Sequence, residues 1–67
     1  MNTRLIIGNK IALFRKKNNW TMQYLGDLIG CDKQYVWKME NGKINISFDY
    51  LDGVIDKLGC THVDFFS

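Results

Sequence analysis

The sequence predicts an all-α fold, and two observations about its 67 residues point to it. Apolar residues recur at the spacing of one helical face in four successive segments, and cap residues or glycine lie at the ends of those segments. A fifth, shorter segment closes the chain. With 46% apolar and 24% charged residues, the chain has the composition of a small folded domain, which we expect to span residues 1–67.

Two helices are predicted in the first thirty residues. The first ends near Asn18 and Asn19, where its apolar pattern stops. The second begins after Thr21, a good N-cap, and ends before Gly30, a natural C-cap. The residues expected to face inward are Ile7, Ile11 and Phe14 in the first helix and Leu25, Leu28 and Ile29 in the second, with Trp20 packed between the two.

The next three segments are bounded in the same way. Asp32 caps the third, which ends at Asn41-Gly42. Ser47 caps the fourth, which Gly59 stops, and Thr61 opens a last short turn. The residues of the apolar pattern are Val36 and Met39 in the third helix, Phe48, Leu51, Val54, Ile55 and Leu58 in the fourth, and Val63, Phe65 and Phe66 in the last turn.

Residues 35–48 also carry a competing signal for a β-hairpin. Asn41-Gly42 is a favoured two-residue turn, and a hairpin around it would pair Met39 with Ile44. Against it, the rest of the chain offers four helical patterns and no third strand, and an isolated hairpin is only marginally stable. Consistency along the whole chain therefore favours a helix followed by a loop.

The charge of the chain is weak overall but unevenly distributed. The formal net charge is +2, whereas residues 1–43 carry eight basic and three acidic side chains, or +5, and residues 44–67 carry one basic and four acidic ones, or −3. This asymmetry favours a basic part that faces a polyanion and an acidic part that faces elsewhere.

Several classes of protein are excluded. No run of about 18 apolar residues is present, and the apolar part of residues 1–7 is too short for a secretory signal, so we expect a cytoplasmic protein with no membrane-spanning segment. Cys31 and Cys60 allow at most one disulfide, and reduced core thiols are expected.

Cys60 and His62 lack the spacing of a metal site and have no evident fourth ligand, so we expect no metal. A nucleophile built from Cys31, His62 and Asp64 conflicts with the core position of Cys31, so we expect no enzyme.

Residues 21–42 have the layout of two short helices joined by a tight turn. Helices that cross at a steep angle need a small residue at the crossing, which Gly26 supplies, and Gly30 is free to adopt the positive φ that the turn requires. At this point the chain resembles the phage-repressor and Cro-type (XRE-like) helix-turn-helix family. The resemblance runs through Ile7-Gly8, Ile11, Arg15, Trp20-Thr21, Leu25-Gly26, Ile29-Gly30-Cys31, Val36, Met39-Glu40-Asn41-Gly42-Lys43, Leu51 through Leu58-Gly59-Cys60 and Val63-Asp64-Phe65-Phe66.

The resemblance implies a compact five-helix bundle of the lambda-repressor-like DNA-binding type, whose third helix lies in the major groove of double-stranded DNA. Outward positions on this helix would then read base edges, and they are Lys33, Gln34, Tyr35, Trp37 and Lys38. Phosphate contacts are expected from Thr21, Asn41, Lys43, Lys10, Lys16 and Lys17. An ion pair is expected between Arg15 and Glu40, and the candidates for a dimer contact are Phe65 and Phe66.

Three residues depart from the family pattern. Met22 stands where the family commonly has a glutamine that contacts phosphate, Gly26 replaces a commoner alanine, and Trp37 replaces a usually small polar residue. Two alternatives assign the candidate binding residues no role in binding. The lysines also fit a solvated helix face, and the two terminal phenylalanines also fit ordinary core.

Together these features favour a sequence-specific transcriptional regulator that binds double-stranded DNA and occupies an operator as a homodimer, with half-sites about 34 Å apart. We expect neither a cofactor nor a small-molecule ligand. The alternative is a protein-interaction module, such as the antitoxin or anti-repressor half of a two-protein system, because the last third of the chain is acidic and aromatic.

Overall fold

Five α-helices account for most of residues 2–67, the part of the chain that this computed structural model describes. In chain order they are α1 (Thr3–Lys17), α2 (Met22–Ile29), α3 (Lys33–Glu40), α4 (Phe48–Leu58) and α5 (His62–Phe66). The predicted all-α five-helix fold is therefore confirmed, while Met1, the first residue of the predicted domain, lies outside the described residues. The alternative hairpin over residues 35–48 is wrong, because this segment forms part of α3, a loop and the start of α4.

Local hydrogen bonds determine where the helices begin. The side-chain oxygens of Thr21, Asp32 and Ser47 accept hydrogen bonds of 3.0, 2.8 and 3.0 Å from the backbone N–H three residues later, as predicted for N-caps. Asn2 and Thr61 cap α1 and α5 in the same way. Each helix start therefore depends on one polar residue directly before the helix.

Left-handed backbone conformations mark the ends of four helices, with Gly42 (φ 66°) after α3. Gly30 (φ 85°) ends α2 and Gly59 (φ 74°) ends α4, as predicted, and Asn19 (φ 59°) follows the end of α1. Asparagine tolerates this conformation better than most residues that carry a side chain. Across the same turn the Trp20 N–H donates to the Arg15 carbonyl over 3.0 Å, and the chain reverses towards α2.

The core lies between the first four helices, and α5 closes it at one end. Its most deeply buried side chains are Ile11, Leu25, Val36, Met39 and Ile55. Around them lie Ile29, Leu51, Val54, Leu58 and Phe65. Most of the residues in the predicted apolar pattern are therefore core residues.

Phe48 and Leu28, like Val63 and Phe66 of α5, belong to the predicted apolar pattern but are exposed. Phe48 is 79% exposed and Leu28 is 37% exposed. Helical side chains lean towards the N-terminus, so the ring of Phe48, the first residue of α4, extends past the end of that helix. It lines a surface groove with Ile7 and Ile46. Leu28 lies at the edge of the stripe that the rest of α2 directs inward.

The helices α1 and α3 approach each other closely at Gly8. A Cβ at this position would lie 2.2 Å from the carbonyl oxygen of Met39 and 2.7 Å from that of Glu40. Only glycine permits so close an approach of backbone to backbone. The position of α3 therefore depends on glycine at position 8 of α1, where no side chain separates the two backbones.

Cys31 and Cys60 are free and partly buried. Burial raises the pKa of each thiol above its ordinary value of 9.0, so both are uncharged near neutral pH. Within residues 2–67, no group of three His, Cys, Asp or Glu side chains is placed to hold a metal ion. In that same range, none of the helices combines the length and the apolar surface needed to span a membrane.

Candidate nucleic-acid interface

The helices α2 and α3 form a closely joined pair. The N–H groups of Gly30 and Cys31 both donate to the carbonyl of Gly26 over 2.8 Å, and Asp32 then caps α3. A Cβ on Gly26 would lie 2.6 Å from the carbonyl oxygen of Cys31. The small residue predicted at the crossing is therefore required by the turn itself, which holds α3 at a fixed angle to α2.

The helix α3 has one buried and one exposed face. Val36 and Met39 are fully buried in the core. The side chains on the exposed face are Lys33, Gln34, Trp37 and Lys38. Residues three and four apart are neighbours on a helix, so these four form one continuous surface. It presents two ammonium groups, an amide and an indole.

Tyr35 differs from the other predicted base-reading residues. Its ring packs edge-on against Tyr50 of α4, with 6.1 Å between the ring centroids, and the side chain is half-buried. An edge-on aromatic pair of this kind stabilises the contact between the two helices. Only part of Tyr35 is therefore available to a ligand.

The chain leaves α3 through a closed turn. The N–H of Gly42 (φ 66°) donates to the Met39 carbonyl, and the N–H of Lys43 donates to the Lys38 carbonyl over 2.9 Å, which is the usual glycine-dependent helix end. The side-chain amide of Asn41 donates back to α3 over 2.9 Å. The exposed side chain of Lys43 is thereby held just beyond the end of α3.

Arg15 and Glu40 form a buried ion pair with two hydrogen bonds, between α1 and the end of α3. The Nε and Nη2 atoms of Arg15 donate to the carboxylate over 2.6 and 2.9 Å, and the two side chains are only 11% and 4% exposed. The hydrogen bond with Glu40 raises the pKa of Arg15, which keeps the guanidinium charged. Its Nη1 donates to the Trp20 carbonyl over 3.0 Å. Arg15 thus connects α1, the turn before α2 and the end of α3.

Neither of the first two side chains of α2 is a free amide. Met22 packs against the core, and the amide of Gln23 donates to Asp27 over 2.9 Å. The hydroxyl oxygen of Thr21 accepts the N–H of Tyr24. The first N–H groups of a helix have no partner within it, so those of Met22 and Gln23 are directed out of the helix end.

The predicted phosphate-binding lysines of α1 lie in two different places. Lys10 and Lys17 line a groove between α1 and α5 beside Asp64, and the Nζ of Lys10 donates to the carbonyl of Ser67 over 3.3 Å. The residues that line this groove include none from α3. Lys16 is exposed close to the end of α1. Lys10 and Lys17 therefore share this groove with Asp64 and Ser67.

Only one of the two candidates for a dimer contact, Phe66, lies on the surface. Phe65 is 3% exposed and packs against Phe14 with 6.4 Å between ring centroids, so it belongs to the core. Phe66 is 46% exposed and Val63 is 77% exposed. Successive residues of a helix point in directions about 100° apart, which directs one phenylalanine inward and the next outward. The exposed surface of α5 therefore combines the apolar Val63 and Phe66 with the polar His62 and Asp64.

Two residues that support the site were not assigned a role from the sequence. Gly8 allows α1 to approach α3, and the only signal of it is a glycine inside a helical pattern. The Nζ of Lys57 donates to the carbonyl of Ile29 over 3.4 Å and so connects α4 to the end of α2. A lysine in the last turn of a helix is favoured by the helix dipole whatever its side chain contacts. The sequence therefore gave no separate indication that Lys57 contacts α2.

Known proteins share this arrangement. The family described as helix-turn-helix matches residues 11–65. The clp gene regulator ClgR from C. glutamicum has a TM-score of 0.83 at 24% identity, over 94% of this chain and 81% of that one. The restriction-modification controller protein C.AhdI from Aeromonas hydrophila has a TM-score of 0.80 at 22% identity, over 94% and 91%.

A third similar structure is that of the hypothetical transcription factor NHTF from Neisseria, with a TM-score of 0.80 at 23% identity over 96% of this chain and 74% of that one. At these identities the likeness shows a shared fold. No relative was found among curated protein sequences.

Proposed function

Because the chain belongs to the XRE-type helix-turn-helix family of DNA-binding proteins, we propose that it is a transcriptional regulator that recognises a specific sequence in double-stranded DNA and occupies it as a homodimer. The observation that carries the proposal is the division of α3 into a buried face and an exposed face with two lysines. An α-helix with its side chains is about 10–12 Å across, which matches the width of the major groove.

Base recognition is assigned to the exposed face of α3. Lys33 and Lys38 can donate to O6 and N7 of guanine, and Gln34 can form two hydrogen bonds with adenine. Each good contact of this kind gives about 1–3 kcal/mol of discrimination against a wrong base. Trp37 lies among these residues, and Tyr35 lies at the margin of the surface because its ring also packs on α4.

Phosphate contacts are assigned to groups at both ends of the helix pair. Lys43 and Asn41 follow the end of α3, and the outward N–H groups after Thr21 open α2, where an anion is favoured by the helix dipole. A further phosphate contact is assigned to Lys16, which is exposed near the end of α1. Such contacts position the protein without reading sequence. For the two lysines of the α1–α5 groove we propose only a long-range electrostatic attraction to DNA.

A homodimer fits the dimensions of the protein. One protomer measures 28 × 26 × 21 Å, so two protomers side by side have room to place their α3 helices about 34 Å apart, one turn of DNA. Phe66 is the remaining candidate for the contact between them, with the neighbouring Val63. The acidic side chains of α4, which include Asp49, Asp52 and Asp56, would then lie away from phosphate.

Selection from random duplexes at low salt tests the proposal. The wild-type protein should enrich one sequence with two half-sites about 10 base pairs apart. Gln34→Ala should broaden the base preference at one position of each half-site. Lys43→Ala should weaken specific and random duplexes alike and reduce the slope of log affinity against log salt by about one unit. No enrichment by the wild type would refute the proposal, and equal losses in both variants would refute the assigned roles.

The second candidate is a protein-interaction module, which the exposure of Val63 and Phe66 on α5 favours. Capture of a different protein through α5, together with no enrichment of any duplex, would support this alternative. Enrichment of a duplex that two protomers bind would exclude it as the main role.

A further inference from the structure

Trp37 has a large apolar side chain, about half of which is exposed to solvent. It is 47% exposed on α3. Among residues 2–67, its ring belongs to none of the aromatic pairs, whereas Trp20 packs against Phe14 at 5.9 Å and Tyr24 at 5.2 Å. Trp20 therefore serves the fold, while the outer half of Trp37 is free to contact a partner.

The surroundings of Trp37 restrict what that partner is. Lys33 is one helical turn before it and Lys38 directly follows it, and both are exposed. The one acidic side chain of α3, Glu40, is 6% exposed and paired with Arg15. A second copy of this face would bring lysine against lysine, which is unfavourable. The surface therefore suits a polyanion that also presents an apolar group.

The major groove of DNA meets both conditions. Its rims carry phosphate charge, and the C5-methyl group of thymine is the apolar group that its floor presents. No other base offers a methyl group there, so an apolar side chain on α3 can distinguish thymine from cytosine.

We infer that Trp37 makes the recognition helix selective for thymine by packing its indole on the C5-methyl group. The inference rests on the proposed function and specifies its ligand. Gln34 is three residues before Trp37, so their Cβ atoms are about 5–6 Å apart, or one to two base-pair steps of about 3.4 Å. The contacted thymine therefore lies within two base pairs of the adenine assigned to Gln34.

Replacing thymine by deoxyuridine tests this contact, because it removes one methyl group and leaves the base pairing unchanged. The selected duplex is titrated with the full chain after each thymine has been replaced in turn. Burial of one methyl group predicts about fourfold weaker binding at one thymine of each half-site, and about fifteenfold when both half-sites are changed. All other replacements should change the affinity less than twofold.

The variants connect this loss to Trp37. Trp37→Ala should bind the thymine and deoxyuridine duplexes equally, and Trp37→Phe, which keeps an apolar ring, should retain at least a twofold preference. Phe48→Ala is the matched control, since it removes a more exposed aromatic ring from outside α3 and should keep the full preference. Circular dichroism checks that each variant is folded.

The outcomes separate this inference from the proposed function. Failure to select any duplex overturns the proposed function. A duplex that is selected and then bound equally with thymine or deoxyuridine at every position overturns the inference alone. A preference for thymine that persists in Trp37→Ala assigns the methyl contact to another residue and also overturns the inference.

Discussion

Replacing Gly8 by alanine should destabilise the protein through a backbone clash. The new Cβ would lie 2.2 Å from the Met39 carbonyl oxygen, whereas ordinary van der Waals contacts begin at 3.4 Å. The helices α1 and α3 must therefore separate by more than about 1 Å, because no side-chain rotation can relieve a contact with a carbonyl. Overpacking of this kind costs up to about 3 kcal/mol.

The gain in helix propensity partly offsets this cost. Alanine is about 1 kcal/mol better than glycine inside a helix, so the expected net loss in the free energy of unfolding is about 2 kcal/mol. For a chain of 67 residues the total is about 3–10 kcal/mol, and a loss of 2 kcal/mol lowers the melting temperature by about 8–16 °C. The same separation pulls Arg15 away from Glu40 and shifts α3 relative to α2.

Gly53→Ala is the matched control for this prediction. Gly53 lies inside α4, is exposed, and a Cβ there would meet nothing within 4 Å. The same substitution should therefore stabilise the protein by about 1 kcal/mol and raise the melting temperature by about 4–8 °C. Thermal and urea unfolding followed by circular dichroism measure both variants. If Gly8→Ala were as stable as wild type, or if both variants changed in the same direction, the close α1–α3 contact would be refuted.

Two further predictions concern the ion pair and the dimer. Glu40→Gln should lower the free energy of unfolding by about 3 kcal/mol in urea titrations, because Arg15 is left buried without a counter-charge. Asp52→Asn, which alters an exposed pair, should cost less than about 0.5 kcal/mol, and equal effects would contradict the role given to burial. Phe66→Ser should raise the dissociation constant of the dimer at least tenfold in sedimentation experiments, while Phe48→Ser leaves it unchanged. If Phe66→Ser left the dissociation constant of the dimer unchanged, the contact between protomers would not involve Phe66.

The boundaries of the helices could be predicted because their causes are local. Thr21, Asp32 and Ser47 each hydrogen-bond to a backbone group three residues away, and Gly30 and Gly59 adopt their left-handed conformations next to the helices that they end. The same locality explains the competing hairpin around residues 41–42. A local turn signal was present there, and the buried contacts of α3 with the rest of the chain overrode it.

The candidate site was less predictable than the helices. Helical spacing identified the exposed Lys33, Gln34, Trp37 and Lys38, since it depends only on position along one helix. It could not show that Tyr35 packs on Tyr50, because that contact depends on where α4 lies. Neither could it place Lys10 beside Ser67, which is 57 residues away in the chain.

The helices and the outward face of α3 could thus be predicted from the sequence alone, because both depend on interactions between residues that are close in the chain. Long-range packing decided which of Phe65 and Phe66 is buried, which lysines line the groove between α1 and α5, and why position 8 requires glycine. Such contacts join residues that are distant in the chain, and each depends on the angles at which whole helices meet. Those angles are set by the packed core as a unit.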